Sequence, residues 1–136
     1  MPHPTTRILV ADPDAATLAV FDQFLRREGY ATITCQTTRT AYQLIELERP
    51  SLLLVNVDLD WYGAGLDLLA LLRQEQATAA LPVIVCTAAV SELRTHGWQL
   101  AAWNCFSLEL PFSERSLLTT VQPALDSTLR SRAVGG

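Results

Sequence analysis

Two hydrophobic periodicities alternate along the chain. Short apolar runs bounded by turn residues predict five strands, at 7–11, 31–35, 51–57, 81–87 and 105–110. Between these runs, apolar residues recur every three to four positions and predict helices over 14–28, 40–48, 65–75, 90–102 and from 113 onward. Because strand and helix alternate with short connections, the sequence predicts an α/β fold, a doubly wound parallel sheet with helices on both faces.

Several residues support the predicted helix boundaries. Asp14 and Ser113 have side chains that cap a helix N-terminus, and Gly29 can adopt the left-handed conformation that ends one. Pro123 lies inside the last helical pattern, where its ring and missing N–H disfavour a straight helix. We therefore expect the last helix to bend near this proline.

Length and composition indicate one globular domain. The 136 residues are 49% hydrophobic and 18% charged, as is usual for a chain that buries a core. We expect an N-terminal tail at 1–6, one domain at 7–131 and a C-terminal tail at 132–136. No apolar run approaches the roughly 20 residues that a membrane span needs. The sequence therefore predicts no membrane insertion.

Net charge and cysteine content indicate which partners and which cellular compartment to expect. The formal charge is −4 and no basic stripe is present, so we do not expect nucleic acid to be a partner. Cys35, Cys86 and Cys105 are widely spaced within apolar stretches, which indicates buried reduced thiols rather than a disulfide framework. Because the N-terminus also lacks a signal-peptide pattern, we expect a cytoplasmic protein.

Polar residues follow three of the predicted strands. Asp12, Asn56 and Thr87 stand at or just beyond the ends of the first, third and fourth strands, and the segment Leu-Glu-Leu-Pro-Phe follows the start of the fifth. In parallel α/β sheets, ligands and chemical groups gather at this carboxyl edge. These positions are therefore the candidate functional site.

Four segments in order resemble the receiver domain of two-component response regulators. They are ILVADPDAATLAVFDQFLRREGY from residue 8, RPSLLLVN from residue 49, LPVIVCTA from residue 81 and LPF from residue 110. The resemblance covers roughly 7–130. It implies a flavodoxin-like fold, with five parallel strands in the order 2-1-3-4-5.

The resemblance also implies a chemistry, which is Mg²⁺-assisted phosphoryl transfer to an aspartate. In the family, two acids after the first strand and the acceptor aspartate hold the metal, which prefers hard oxygen ligands. A threonine and a lysine contact the phosphoryl oxygens, and the cations neutralise the charge that develops during transfer.

The metal positions match only in part. Asp12 corresponds to the first acid, but Pro13 stands where the second acid belongs. Asp14 is one residue further along, where a carboxylate favours the positive end of the helix dipole. We therefore expect Asp14 to cap the helix, and Asp12 to be a weakened Mg²⁺ ligand with Asp14 weaker still.

The phosphoryl positions match less well. Asn56 stands at the acceptor position, six residues after Pro50, and a neutral amide is not a competent nucleophile. Thr87 corresponds to the switch threonine, while Leu110 occupies the lysine position. All ten basic residues are arginine, so no other lysine can take that place.

These departures predict a degenerate receiver, or pseudo-receiver, that is not an enzyme and needs no cofactor. One carboxylate remains and the lysine cation is gone, so the cluster stays close to neutral without metal. We hypothesise that the Asn56 amide donates a hydrogen bond to Asp12 and holds the pocket in a metal-free state.

Two alternatives use the acidic loop, residues 57–63, which follows Asn56. Asp58 or Asp60 could replace the missing acceptor, giving a receiver that is still phosphorylated. Alternatively, Asp12 and the loop could sense a metal, since Asn56, Asp58, Asp60 and Asp67 fall at calcium-ligand positions of an EF-hand count. That count places Trp61 where the calcium loop requires glycine, which argues against calcium.

Aromatic residues suggest where a partner docks. Trp98, Trp103 and Phe106 fall near the end of the fourth predicted helix and in the fifth strand, and such residues are enriched in interfaces. The family docks partners and forms dimers on the face between the fourth and fifth helices. The resemblance thus implies a histidine kinase or an output protein acting in trans as partner, or a homodimer. Trp61 and Tyr62 form a second candidate patch.

Overall fold

A computed structural model describes residues 6–89 and 105–135, and it contains a five-stranded parallel sheet. The strands are β1 (Arg7–Ala11), β2 (Ala31–Cys35), β3 (Leu52–Asn56), β4 (Val83–Thr87) and β5 (Cys105–Glu109). Their order across the sheet is β2-β1-β3-β4-β5, and every neighbouring pair is parallel. Both the predicted α/β class and the predicted strand order are confirmed.

Four helices are described. They are α1 (Ala15–Arg27), α2 (Thr38–Glu48), α3 (Ala64–Gln74) and α4 (Glu114–Gly135). The last of these, α4, is the helix predicted from 113 onward, while the helix predicted over 90–102 lies outside the described residues. No helix in the described part of the chain is long and apolar enough to cross a membrane.

The sheet separates two apolar cores. On one face, α1 and α4 bury residues such as Phe21, Leu25 and Leu117 against the sheet. On the other face, α2 and α3 bury residues such as Ile45 and Leu68. The central strands β1, β3 and β4 are buried from both sides, which accounts for their nearly continuous apolar sequences.

The helix ends follow the predicted local chemistry. The Asp14 side chain accepts from the N–H of Thr17 and caps α1, and Gly29 beyond that helix has a φ of +91°. At the start of α4, Ser113 and Ser116 each accept from the other's backbone N–H, which is a reciprocal capping arrangement.

The C-terminal helix, α4, is continuous from Glu114 to Gly135. It remains one helix across Pro123 and continues to Gly135, into the segment that we expected to be a tail at 132–136. The bounds of a helix do not give the curvature of its axis, so the bend expected near Pro123 stays a prediction. The proline nevertheless does not end the helix.

Candidate functional site

Strand order brings Asp12 and Asn56 together. Strands β1 and β3 are neighbours, and β2 lies on the other side of β1, so the strand order reverses at this point. Asp12 directly follows β1, and Asn56 is the last residue of β3. Parallel sheets present their ligands and reactive groups at such a switch point. The structure therefore places the two residues where the sequence predicts the site.

The Asn56 side chain is held by hydrogen bonds at both ends of its amide. Its Nδ2 donates to Asp12 Oδ2 at 3.1 Å, and its Oδ1 accepts from the N–H of Asp58 at 2.9 Å. A backbone N–H can only donate, so the contact to Asp58 fixes which end of the amide is oxygen. The hydrogen bond from Asn56 to Asp12 predicted from the sequence is confirmed.

Asp12 is a buried carboxylate whose neighbours are N–H donors. Only 3% of the residue is exposed. Its Oδ1 accepts from the backbone N–H of Asp14 at 2.9 Å, while Oδ2 accepts from Asn56. A buried charge is costly unless hydrogen bonds replace its hydration, and here both oxygens have such a partner.

This arrangement does not fit Mg²⁺. The ion requires several oxygen ligands, but the Asn56 amide turns its NH₂ group toward Asp12 and its oxygen toward the Asp58 N–H. Pro13 contributes no side-chain oxygen. Among residues 6–89 and 105–135, no cluster of three acidic, histidine or cysteine side chains is arranged to hold a metal.

Thr87 is the last residue of β4, and Leu110 directly follows the neighbouring strand β5. Thr87 is buried, and its hydroxyl oxygen accepts from the N–H of Ala89 at 3.0 Å, as in an ordinary turn. The N–H of Leu110 donates to the Thr87 carbonyl at 2.9 Å, which continues the β4–β5 ladder. The Leu110 side chain is half-buried and packs against the core beneath α1 and α4. An apolar side chain thus occupies the position of the family's lysine.

The turn after Leu110 has a packing role. The Leu110–Pro111 peptide bond is cis, and the ring of Phe112 stacks on that of Phe21 in α1 with centroids 4.2 Å apart. Stacked and offset aromatic pairs add to the stabilisation that burial alone provides. The turn is therefore anchored by apolar contacts.

The acidic loop is closed by its own carboxylates. Asp58 Oδ1 accepts from the N–H of Gly63 at 2.8 Å, which ties the two ends of the loop together. Asp60 Oδ1 accepts from both the N–H and the hydroxyl of Thr38 at the start of α2. Each of these two carboxylates therefore has a structural partner, although both residues are exposed.

The Asp60 contact also changes its ionisation. Partial burial acts to raise the pKa of Asp60, but the hydrogen bonds from Thr38 outweigh it and the net shift is downward. A carboxylate at a helix N-terminus is further favoured by the positive end of the dipole. From the sequence alone, Asp60 is a candidate only for an acceptor or a metal ligand. The signal that could have revealed its role is the start of α2 at Thr38, whose N–H needs a partner.

Asp14 shows a similar preference for the charged form. The hydroxyl of Thr17 donates to Asp14 Oδ2 at 2.7 Å and lowers the pKa of Asp14, as does the N–H of the same residue. The carboxylate lies at the N-terminus of α1, where the sequence predicts a cap. This orientation accounts for Asp14 without a metal.

Helix α3 approaches the acceptor-equivalent strand closely. The N–H of Gly65 donates to the carbonyl of Val57 at 2.8 Å, and a Cβ added at Gly65 would lie 2.4 Å from the backbone oxygen of Asn56. Only glycine permits this contact. Gly65 therefore helps to set the distance between α3 and the end of β3, a role that the sequence pattern does not predict.

The predicted docking residues are only partly described. Trp98 and Trp103 lie outside the described residues. Phe106, on β5, is half-buried and packs against the core beneath α1 and α4. In the second candidate patch, Trp61 and Tyr62 are 49% and 75% exposed.

The chain matches the family model of the response regulator receiver domain over residues 8–122. It is also similar to the phosphate regulon transcriptional regulatory protein PhoB of Pseudomonas aeruginosa, with 27% identity over 125 residues. That alignment covers 89% of this chain and 52% of PhoB, so the chain spans about half the length of its relative.

Solved structures agree with this match. A CheY-like receiver domain protein of Methanospirillum hungatei has a TM-score of 0.81 and 27% identity, covering 94% of this chain and 99% of that one. The signal receiver domain of an HD domain-containing protein of Pseudomonas fluorescens has a TM-score of 0.82 and 20% identity, covering 98% and 96%. The second likeness concerns the fold alone. The chain therefore belongs to the response regulator receiver domain family, whose members are signalling domains of two-component systems.

Proposed function

We propose that this receiver domain signals through protein contacts and does not accept a phosphoryl group. The observation that carries the proposal is the Asn56 amide, which stands at the acceptor position and bridges Asp12 to the acidic loop. An amide lacks the negative charge and nucleophilicity that attack on phosphorus requires. The domain is accordingly a binding module rather than an enzyme.

Two further positions support the proposal. Leu110 packs against apolar side chains where a cation would be needed, and the chain contains no lysine. Transition-state charge in phosphoryl transfer is stabilised mainly by cations held near the phosphate. Without Mg²⁺ ligands and without the lysine, an acceptor elsewhere in the loop would lack this stabilisation.

The direct test measures the intact mass of the protein after incubation with acetyl phosphate and Mg²⁺. We expect no mass increase, whereas an active receiver domain treated in parallel gains one phosphoryl group. A gain on this chain would contradict the proposal. Asp58→Asn and Asp60→Asn variants would then identify the carboxylate that carries the phosphoryl group.

Metal sensing through Asp12 and the acidic loop is tested separately. Calorimetric titration of the protein with Mg²⁺ and with Ca²⁺ should give no binding heat, because the carboxylates already accept from N–H and hydroxyl donors. A saturable heat that is abolished by Asp12→Asn would instead support a metal-sensing receiver.

The partner that fits this proposal is another signalling protein. We infer that a histidine kinase or an output protein in trans binds the domain in the cytoplasm, where its three cysteines remain reduced. Trp98, Trp103 and Phe106 are the proposed contacts if docking uses the face between the family's fourth and fifth helices. Substituting Phe106 by alanine and measuring the oligomeric state tests whether that face also forms a homodimer.

A further inference from the structure

A groove between α2 and α3 lies beside the acidic loop and is not used by the site described above. It has a volume of about 490 Å³ and is open to solvent. From α2 it is lined by positions 39, 42, 43 and 46, which share one face of that helix, and from α3 by positions 67, 68 and 71. Trp61 of the acidic loop also lines it. We call this feature the α2–α3 groove.

The floor of the groove is apolar and partly exposed. Leu68 is buried, while Leu71 is 42% exposed and Trp61 is 49% exposed. Trp61 Nε1 donates to Asp67 Oδ2 at 2.9 Å, which holds the indole ring beside α3. A fixed tryptophan next to an exposed leucine and a tyrosine is the composition of a binding hot spot.

The rim of the groove is acidic, because Glu46 and Asp67 line it and Glu75 adjoins it through Tyr42. The Tyr42 hydroxyl donates to Glu75 Oε1 at 2.5 Å, and hydrogen bonding with Glu75 and Glu46 raises the pKa of Tyr42. Neither glutamate, nor Asp67, forms an ion pair with a basic side chain within the described part of the chain. Arg39 is the one basic residue that lines the groove there.

The apolar floor and the acidic rim together argue against several classes of occupant. A second copy of the chain would bring two acidic rims together, and like charges across an interface are unfavourable. The phosphates of nucleic acid and of anionic membranes would be repelled in the same way. A small ligand would keep much of its surface in water, whereas ligand pockets usually bury most of it.

We propose that the α2–α3 groove binds a basic amphipathic helix of a partner protein. Apolar side chains on one face of that helix contact Leu71 and Trp61, and lysine or arginine side chains beside them pair with Glu46, Glu75 and Asp67. Helices recognised in grooves present such anchors at i, i+3, i+4 and i+7. The inference rests on the proposed function, since it names a surface through which a phosphorylation-independent receiver contacts its partner.

The acidic loop links this groove to the site. Asp60 accepts from the N–H of Thr38, the first residue of α2, and Trp61, the residue after Asp60, lines the groove. Gly65 holds the start of α3 against β3. The loop that follows Asn56 thus positions both walls of the groove, and its contacts require no phosphoryl group.

The test uses two synthetic 15-residue peptides and the full chain. The first peptide has leucine at the spacing i, i+3, i+4 and i+7 along its whole length and lysine at the remaining positions. The second peptide has glutamate in place of every lysine. Affinity is measured by fluorescence anisotropy, and the contact is mapped from backbone amide shifts. We expect the lysine peptide to bind and to shift residues of α2 and α3, and the glutamate peptide to bind at least tenfold more weakly.

Two matched variants separate docking from general charge attraction. Leu71→Glu and Leu47→Glu each add one negative charge to an exposed leucine, but only Leu71 lines the groove. We expect Leu71→Glu to weaken binding of the lysine peptide at least tenfold and Leu47→Glu to leave it unchanged. Tighter binding by both variants, or equal binding of the two peptides, would overturn the proposal. Trp61→Ala, in the loop, provides a second loss-of-contact variant if Leu71→Glu fails to fold.

The same binding assay is repeated after incubation with acetyl phosphate and Mg²⁺, alongside the mass measurement. Binding that is unchanged, with no mass gain, supports both proposals. Binding that requires a mass gain would leave the groove as the docking site and contradict independence from phosphorylation. No binding and no mass gain would overturn the groove alone.

Discussion

At the scale of single residues, Asn56 places a hydrogen-bond donor where the family's acceptor aspartate would place a negative charge. An aspartate at this position would face the buried Asp12 carboxylate, whose Oδ2 now accepts from the Asn56 NH₂ group. Two adjacent carboxylates repel each other unless a metal or a proton lies between them. The amide removes this requirement, and it also accepts from the Asp58 N–H, so it stabilises the start of the acidic loop.

We predict that Asn56→Asp destabilises the protein by about 2 kcal/mol at pH 7, because a buried carboxylate loses its donor and gains a like charge. The carboxyl pair should take up a proton more readily in the folded state than in the unfolded chain. Stability of the variant relative to the natural sequence should therefore fall as pH rises from about 4 to 7. Urea unfolding at several pH values measures this.

The control is Asn56→Ala, which removes the donor without adding a charge and should lose less stability at pH 7. Millimolar Mg²⁺ should stabilise Asn56→Asp, since two carboxylates then offer hard oxygen ligands, and should not affect the natural sequence. Equal stability of Asn56→Asp and the natural sequence at pH 7 would show that the contact with Asp12 contributes nothing.

Which residues of the site can be predicted from the sequence depends on the kind of contact. Asp12, Asn56 and Leu110 are fixed by strand ends, so the α/β pattern was sufficient to place them. The partners of Asp58 and Asp60 were not predicted, because loop side chains can reach several nearby helix ends. The sequence makes these carboxylates candidates for an acceptor or a metal ligand, and the structure shows in addition that each accepts a backbone hydrogen bond.

At the scale of secondary-structure elements, α2 begins with help from outside the helix. Thr37 caps it locally by accepting from the N–H of Thr40, and Asp60 accepts from the N–H of Thr38. The first N–H groups of a helix lack partners within it, so each of these contacts satisfies a donor. The helix end near the site is thereby tied to the acidic loop.

We predict that Asp60→Asn destabilises the protein by less than about 1 kcal/mol at pH 7, since the residue is exposed and solvent screens its charge. The pKa of Asp60 is lowered by folding, so its charge stabilises the protein above the unfolded carboxyl pKa near 4. That contribution is lost as pH falls through the lower folded value.

Urea unfolding between pH 2.5 and 7 provides the measurement, with Thr38→Val and the double variant completing a thermodynamic cycle. The difference between Asp60→Asn and the natural sequence should shrink at the acid end, and the coupling with Thr38 should be favourable. A difference that stays constant with pH, together with zero coupling, would contradict a charge-dependent contact.

The elements themselves were predicted well because each carries its own signal. Apolar runs gave the strands to within two residues, and cap residues such as Asp14 and Ser113 gave helix starts. The start of α2 was predicted two residues late, at 40, because Thr37 and Thr38 carry no apolar periodicity. The length of α4 beyond 131 could not be inferred from residues 132–135, because Arg132 and Ala133 favour a helix whereas Val134 and Gly135 disfavour one.

At the scale of the whole molecule, three cysteine thiols lie at different positions across the sheet. Cys35 ends the edge strand β2, and Cys105 begins the other edge strand, β5. Cys86 lies in the interior strand β4. Burial raises the pKa of Cys35 and of Cys105 to about 11 and that of Cys86 further still. The nearby Arg73 acts in the opposite direction on Cys105, but its effect is smaller.

We predict that iodoacetamide alkylates the folded protein at pH 8 on the order of 100-fold more slowly than the urea-unfolded chain. A thiol with a pKa of about 11 is roughly 0.1% thiolate at that pH, whereas a free cysteine is about 20% thiolate. Because these pKa values fall on unfolding, the unfolded chain loses its thiol protons first. The thiols therefore make stability decrease as pH rises above about 8.5.

A variant with Cys35→Ala and Cys105→Ala isolates Cys86, which is 2% exposed between neighbouring strands on both sides. Its thiol can react only when β4 separates from the core, so its labelling rate should follow the global opening equilibrium and rise with urea as the unfolding free energy falls. Rapid labelling of Cys86 without urea would mean that β4 opens locally. The carboxyl ends of the strands, where Asn56 lies, would then be less rigid than their hydrogen bonds imply.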